Sequence, residues 1–218
     1  MRCDGGNSTT NDEKIKNIMQ ILQNKYGGSP DTDLRYENNY QLLIAIMLSA
    51  QSTDKQVNKN TSELFRILKQ PQDAVKMGEQ KINYIIKNIN YHNTKAKNIV
   101  LMSAKLMNDY NSTVPNDFNK LVSLKGVGRK TANLVLSIAF KQNTIAVDTH
   151  VHRVANRIGL VKSKNPKDTE RQLMTNISEK YHRNINSLFI PFGREFCGAR
   201  KKNCKKCPLA KLCNTAIC

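Results

Sequence analysis

No apolar stretch of this 218-residue chain approaches the roughly 20 residues needed to cross a bilayer; the longest runs only from Leu42 to Leu48. Met1 to Glu13 has no apolar core of the kind a secretory signal needs. A soluble, intracellular protein with no membrane partner is therefore expected. Strand alternation is nearly missing as well, Thr144 to Val147 being the only β-like segment, which disfavours a sheet and points to an all-α fold. No unit recurs at the period of roughly 20 to 50 residues that marks a solenoid. Acidic residues are scarce: 17 Asp and Glu face 35 Lys and Arg, for a formal charge of +18 at pH 7. Such an excess implies a polyanionic partner, because each cation that neutralises a phosphate releases a condensed counterion. Nucleic acid comes before a membrane surface on this ground. The preference for Lys, 25 against 10 Arg, together with 26 Asn, also fits coding DNA rich in A and T.

Disulfides are disfavoured by the cysteine layout. Four of the six crowd between Cys197 and Cys213, while Cys3 and Cys218 stand near the termini, unlike a secreted disulfide framework. The four are spaced C-x6-C-x2-C-x5-C at Cys197, Cys204, Cys207 and Cys213. Thiolates so close in sequence suit either tetrahedral zinc or an iron–sulfur cluster, and the spacing alone leaves both open.

What is present is helical periodicity. Ile15, Ile18, Met19, Ile21, Leu22 and Tyr26 recur on one face until Gly27, Gly28 and Pro30. Leu42 to Leu48 is apolar all round, as in a helix buried at the centre of a domain, and passes into Ser49, Ala50 and Gln51. Thr53 with Gln56 three residues on resembles a capping box, ahead of a helix that stops at Pro71. Two further helices flank the polar turn Asn90 to Thr94. A short segment opening at Val114-Pro115 ends at Leu121, and a helix runs from Arg129 to Phe140.

Two segments carry chemistry. Leu121 to Ala132 reads as a short helix, a turn containing Gly126 and Gly128, and a second helix. Its glycines permit positive φ and close approach of backbone, and the amides opening the second helix can bind a phosphate; a plain αα-corner explains the glycines equally well. In Ile145 to Val154, Asp148 follows an apolar triplet and opens a helix. It suits an N-cap accepting from the amides of His150 or Val151, or a catalytic carboxylate at a cleft. His150 and His152, at i and i+2, point to different helix faces and cannot share one metal ion.

Leu124-Lys125-Gly126-Val127-Gly128-Arg129-Lys130-Thr131-Ala132-Asn133, Val147-Asp148-Thr149-His150 and Met47-Leu48-Ser49-Ala50-Gln51-Ser52-Thr53-Asp54, with the cysteine spacing, resemble the endonuclease III family of helix-hairpin-helix DNA glycosylases. The resemblance runs from about Asp31 to Cys213. It implies an all-α protein of two helical domains: residues 32–141 as a six-helix domain carrying the hairpin, and residues 1–31 with 142–218 as a cluster domain, with a DNA cleft between the two; the polar start, residues 1–13, is expected to be disordered on composition alone.

The same resemblance implies a monomeric bifunctional DNA glycosylase and abasic-site lyase of base excision repair. Double-stranded DNA with oxidised pyrimidines or abasic sites would be its partner and a [4Fe–4S] cluster on Cys197, Cys204, Cys207 and Cys213 its cofactor. Lys130, held neutral for part of the time by desolvation and nearby cations, would attack the sugar C1′, with Asp148 opposite it stabilising positive charge. Gln51 would fill the gap left by the rotated nucleotide. Tyr91 and His92 stand at the turn where the family inserts a wedge, often leucine after glycine, and tyrosine can still stack between bases. Lys125, Gly126, Val127, Gly128 and Arg129 would hold a phosphate, with His150 and Arg153 near the DNA and Arg200 and Lys201 on a basic loop pinned by cysteines. Lys125 replaces a frequent proline and adds charge. Adenine- and mismatch-specific branches of the superfamily usually lack a lysine at the position of Lys130, which disfavours them. The reading from another class, a non-catalytic DNA-binding module, shares the salt sensitivity but predicts no covalent adduct.

Overall fold

The structure is a computed structural model that describes residues 11–27 and 32–216. In chain order the helices are α1 (Asn11–Tyr26), α2 (Asn39–Ser49), α3 (Asp54–Ile67), α4 (Pro71–Met77), α5 (Glu79–Ile85), α6 (His92–Tyr110), α7 (Phe118–Val122), α8 (Arg129–Phe140), α9 (Thr149–Ile158), α10 (Pro166–Asn176) and α11 (Ile185–Glu195). Tight 3-10 turns occupy Glu179–Asn184, Cys204–Lys206 and Ala210–Leu212. About 67% of the described residues are helical and none is in a strand, so the all-α expectation holds. Thr144 to Val147 has no regular structure. Cys3, Cys218 and the disorder expected at residues 1–10 lie outside the described residues, whereas 11–13 already belong to α1.

The backbone divides into two compact units, Thr32–Gln142 and the segments on either side of it. In the first, α2 is the central element. Every residue from Tyr40 to Leu48 is buried, which accounts for a sequence with no polar face, and α3, α6 and α8 pack around it. Truncating one such residue, Leu43→Ala for instance, is worth about 2–5 kcal/mol. Buried Gln41 is satisfied by donating to the carbonyls of Phe65 and Leu68, both at 3.0 Å, at the end of α3.

Local chemistry sets the helix boundaries of this unit. Asn38, Thr53 and Asp117 cap α2, α3 and α7 through their side chains. The capping box expected at Thr53 is half formed: Thr53 Oγ1 accepts from the Gln56 amide at 3.3 Å, but the Gln56 side chain instead donates across to the carbonyl of Asn88. Helix α4 is not legible as a periodic run. The pattern stops at Pro71, yet this proline stands at the first position of α4, where its missing N–H costs nothing.

The second unit is built on α9 and α11, with α1 against α11 and α10 against α9. Ile15, Ile18, Met19 and Leu22 bury the expected face of α1 together with Val151, Val154, Ile158, Leu188, Phe189 and Phe192. Asp148 caps α9 at its start, and Gly159, at φ +83°, ends it.

Candidate active site

In the first unit, the hairpin joins α7 to α8. Val127 and Leu124 are buried and anchor it, while Lys125, Gly126, Gly128, Arg129 and Lys130 are exposed. Gly126 has φ +83°, and a Cβ there would meet Met47 Sδ at 2.8 Å and Asn98 Nδ2 at 2.9 Å. Both the backbone conformation and the packing therefore require glycine. Gly128 differs: its conformation is extended, at φ −92°, and nothing lies within 4 Å of an added Cβ. It stands at the N-cap of α8, where no side chain caps the helix, so the positive end of the helix dipole is not screened by a capping group. The Arg129 guanidinium stacks on the Phe118 ring, 4.7 Å from its centroid. Lys130 follows in the first turn of α8. It is exposed, so burial within the protein does not supply the desolvation expected for its amine.

Two other turns of this unit carry Gln51 and Tyr91. Both residues are exposed, and both hold the left-handed conformation at φ +59°, which costs a non-glycine residue on the order of 1–2 kcal/mol. Asn90 Nδ2 donates to the Gln51 carbonyl at 2.5 Å. His92 is half-buried, and its Nδ1 lies 2.5 Å from Asn83 Oδ1.

In the second unit, Asp148 Oδ1 accepts from the amides of both His150 and Val151 at 2.8 Å. Two N–H groups on one oxygen fix the carboxylate plane, and the capping does not engage Oδ2. Arg153 is drawn inward: it donates to the carbonyls of Cys197 at 2.9 Å, Gly193 at 3.3 Å and Thr149 at 3.3 Å, and to His150 Nδ1 at 3.0 Å. Because a guanidinium only donates, His150 Nδ1 must be the accepting nitrogen. His152 Nδ1 instead meets Thr169 Oγ1 at 2.6 Å, so the two histidines do look in different directions.

Arg157, which the sequence reading passed over, braces the cysteine loop. Its guanidinium reaches the carbonyls of Cys197 (3.3 Å), Gly198 (2.7 Å) and Ala199 (3.2 Å) and lies 3.5 Å from Cys197 Sγ. An antiparallel bridge between Cys197 and Lys202 closes the loop, leaving Arg200 and Lys201 exposed at its tip. Arg153 and Arg157 are one helical turn apart and so share a face of α9, but spacing does not say that this face meets the cysteine loop.

Cys197, Cys204, Cys207 and Cys213 line one small pocket together with Ile158, Phe192 and Phe196. None of the four is in a disulfide. Burial pushes the Cys207 thiol up; the backbone at Leu209 opposes this, and the neighbouring Cys213, Cys204 and Cys197 add to it. Among the described residues, no group of three or more His, Cys, Asp or Glu side chains is set to hold a single metal ion.

A glycine hairpin that opens a helix without a side-chain cap, flanked by exposed Lys125 and Lys130, has the form of a helix-hairpin-helix element. Residues 44–179 match the model of the HhH-GPD superfamily of base excision DNA repair proteins. The endonuclease III of Rickettsia felis is 44% identical over 199 residues, covering 91% of this chain and 93% of that protein, and that of Buchnera aphidicola from Acyrthosiphon pisum is 44% identical over 203 residues, covering 93% and 96%. A solved trapped covalent intermediate of endonuclease III with DNA superposes with a TM-score of 0.88 at 36% identity, covering 95% of this chain and 97% of that one. The chain belongs to the endonuclease III family within the HhH-GPD superfamily.

Proposed function

We propose that this chain removes oxidised pyrimidines from double-stranded DNA and then cuts the strand, with Lys130 as nucleophile and Asp148 as its electrostatic partner. It is a bifunctional glycosylase and lyase of base excision repair. Its substrate nucleotide must leave the stack to be reached. The neutral ε-amine of Lys130 forms a bond to C1′ as the glycosidic bond breaks, and the base departs with that electron pair. The nitrogen then loses a proton and its lone pair opens the sugar, breaking C1′–O4′ with O4′ taking up a proton, to leave an iminium on Lys130; loss of a C2′ proton expels the 3′ phosphate with the C3′–O electron pair, and water hydrolyses the remaining imine to free the lysine. Lys130 is exposed in the free protein, so bound DNA supplies the enclosure in which its amine reacts. Asp148, its orientation fixed by two amides, stabilises the positive charge that develops on the sugar.

Around this pair, the exposed hairpin at Lys125 to Arg129 holds a backbone phosphate on the amides at the start of α8. Gln51 fills the vacated position and Tyr91 stacks in the opposite strand, beside His92. Arg200 and Lys201 give a second, sequence-independent grip. His150 and Arg153 act as internal braces near this surface. Cys197, Cys204, Cys207 and Cys213 would hold a [4Fe–4S] cluster, a reading supported by family membership and by four soft donors lining one pocket. When bound, the cluster supplies cross-links that fix the loop fold. The observation that carries the proposal is the placement of Lys130 in the first turn of a helix opened by an uncapped glycine hairpin, in a chain of this family.

Base release and strand cutting should be measured separately on a duplex containing an oxidised pyrimidine. Parent protein gives both, at matched rates. Lys130→Ala that binds the duplex yet still releases base and cuts at the parental rate would remove Lys130 from the mechanism.

A further inference from the structure

Two exposed residues in left-handed backbone, Gln51 and Tyr91, stand on loops separated in sequence by α3, α4 and α5, and a buried lysine lies beside both loops. Lys95 lies in the first turn of α6 and is only 6% exposed. Its ammonium donates to the carbonyls of Leu48 at 2.8 Å and Ala50 at 2.7 Å, and its own amide donates to the carbonyl of Tyr91 at 3.0 Å. It has no ion pair among the described residues. Burial alone moves it below the ordinary lysine range. An unpaired buried ammonium is a costly way to terminate a helix, and the end of α2 has ordinary alternatives such as a glycine cap.

We infer that Lys95 is a positioning residue that holds Gln51 and Tyr91 as one preorganised pair for entering the duplex, with Asn90 as the second tie. This rests on the reading above, in which Gln51 and Tyr91 act on opposite strands at the lesion. The end of α2 sets where Gln51 begins; Lys95 clamps its last carbonyls. The start of α6 sets Tyr91, whose carbonyl takes the ordinary first-turn helix bond from the amide of Lys95; the lysine side chain ties that turn to the last carbonyls of α2. Asn90 then links the loops directly by donating to the Gln51 carbonyl at 2.5 Å, and the Gln56 side chain bonds the Asn88 carbonyl beside them. Asn90 occupies a place where the family often has glycine, so this direct tie belongs to this chain. Holding both residues in strained backbone before DNA arrives removes an ordering cost from the binding step.

The test is a double-mutant cycle on the full-length holoprotein. Single-turnover base release is measured on a lesion in duplex DNA and on the same lesion in a single strand, where there is no gap to fill. Lys95→Met keeps the aliphatic stem and removes both carbonyl bonds; Asn90→Gly, at an exposed position, guards against a folding defect. Both should lower the ratio of duplex to single-strand rate, by on the order of tenfold to 100-fold for Lys95→Met given the sensitivity of rates to misplacement. Combined with Gln51→Ala, each should add little further loss, because each acts through Gln51. Equal losses on both substrates, or fully additive losses with Gln51→Ala, would overturn the inference alone. A Gln51→Ala protein with an unchanged ratio would overturn both the inference and the role of Gln51.

Discussion

Gly126 and Gly128 are two residues apart in one hairpin, yet they should respond to the same substitution in opposite ways. In Gly126→Ala the new Cβ would stand 2.8 Å from Met47 Sδ and 3.0 Å from Asn98 Cβ, at φ +83°. The left-handed conformation costs alanine about 1–2 kcal/mol, and overpacking adds about 1–3 kcal/mol. Because Met47 is flexible but itself buried, a total near the middle, about 3 kcal/mol, is expected. With a urea slope of about 2 kcal/mol/M, the unfolding midpoint should fall by about 1.5 M. Gly128→Ala has open space and negative φ. It gains about 0.4–1 kcal/mol through the unfolded chain and loses a similar amount because alanine caps helices poorly, so the midpoint should barely move. Its Cβ instead obstructs the approach of a phosphate, and DNA affinity should fall. Urea titrations of both variants, with binding to an abasic duplex at fixed salt, decide the matter. Gly126→Ala as stable as the parent, or Gly128→Ala binding as tightly, would refute the division of labour.

Asp148→Asn retains an oxygen that can accept from the amides of His150 and Val151 and should stay folded, whereas the lost charge should slow base release by roughly 100-fold or more; Asp148→Ala should in addition cost about 1 kcal/mol of stability in thermal or urea unfolding. Arg157→Ala removes the donor to three loop carbonyls; if the proposed cluster is bound, the variant should lose iron faster than the parent under a chelator, read from metal content over time. Lys201→Ala should lower DNA affinity alike for damaged and undamaged duplex and reduce the slope of log affinity against log salt by about 1.

How much of this was legible in the sequence depends on whether a feature is local. The uniform apolar run of α2, the amphipathic face of α1 and the cap at Asp148 are written in neighbouring residues, and the structure shows each. Helix α4 was not legible, because Pro71 ends one pattern and opens a seven-residue helix too short to show a period. The capture of Arg153 by the Cys197 carbonyl joins residues 44 apart, and nothing in the sequence distinguishes an arginine spent inward from one facing DNA. Lys95 was hidden for a stronger reason: lysine in a polar turn is usually solvated, and its burial depends on where α2 ends. Gln51 and Tyr91 were legible as candidates only through family resemblance; their shared left-handed backbone belongs to tertiary structure.

The central claim is that Lys130 forms the covalent bond to the sugar. Parent protein incubated with an abasic duplex and borohydride, then digested and mapped by mass, should yield a reduced adduct on the peptide containing Lys130, and folded Lys130→Ala should yield none. An adduct of equal yield in Lys130→Ala, or one mapped to another amine such as Lys125, would contradict the account.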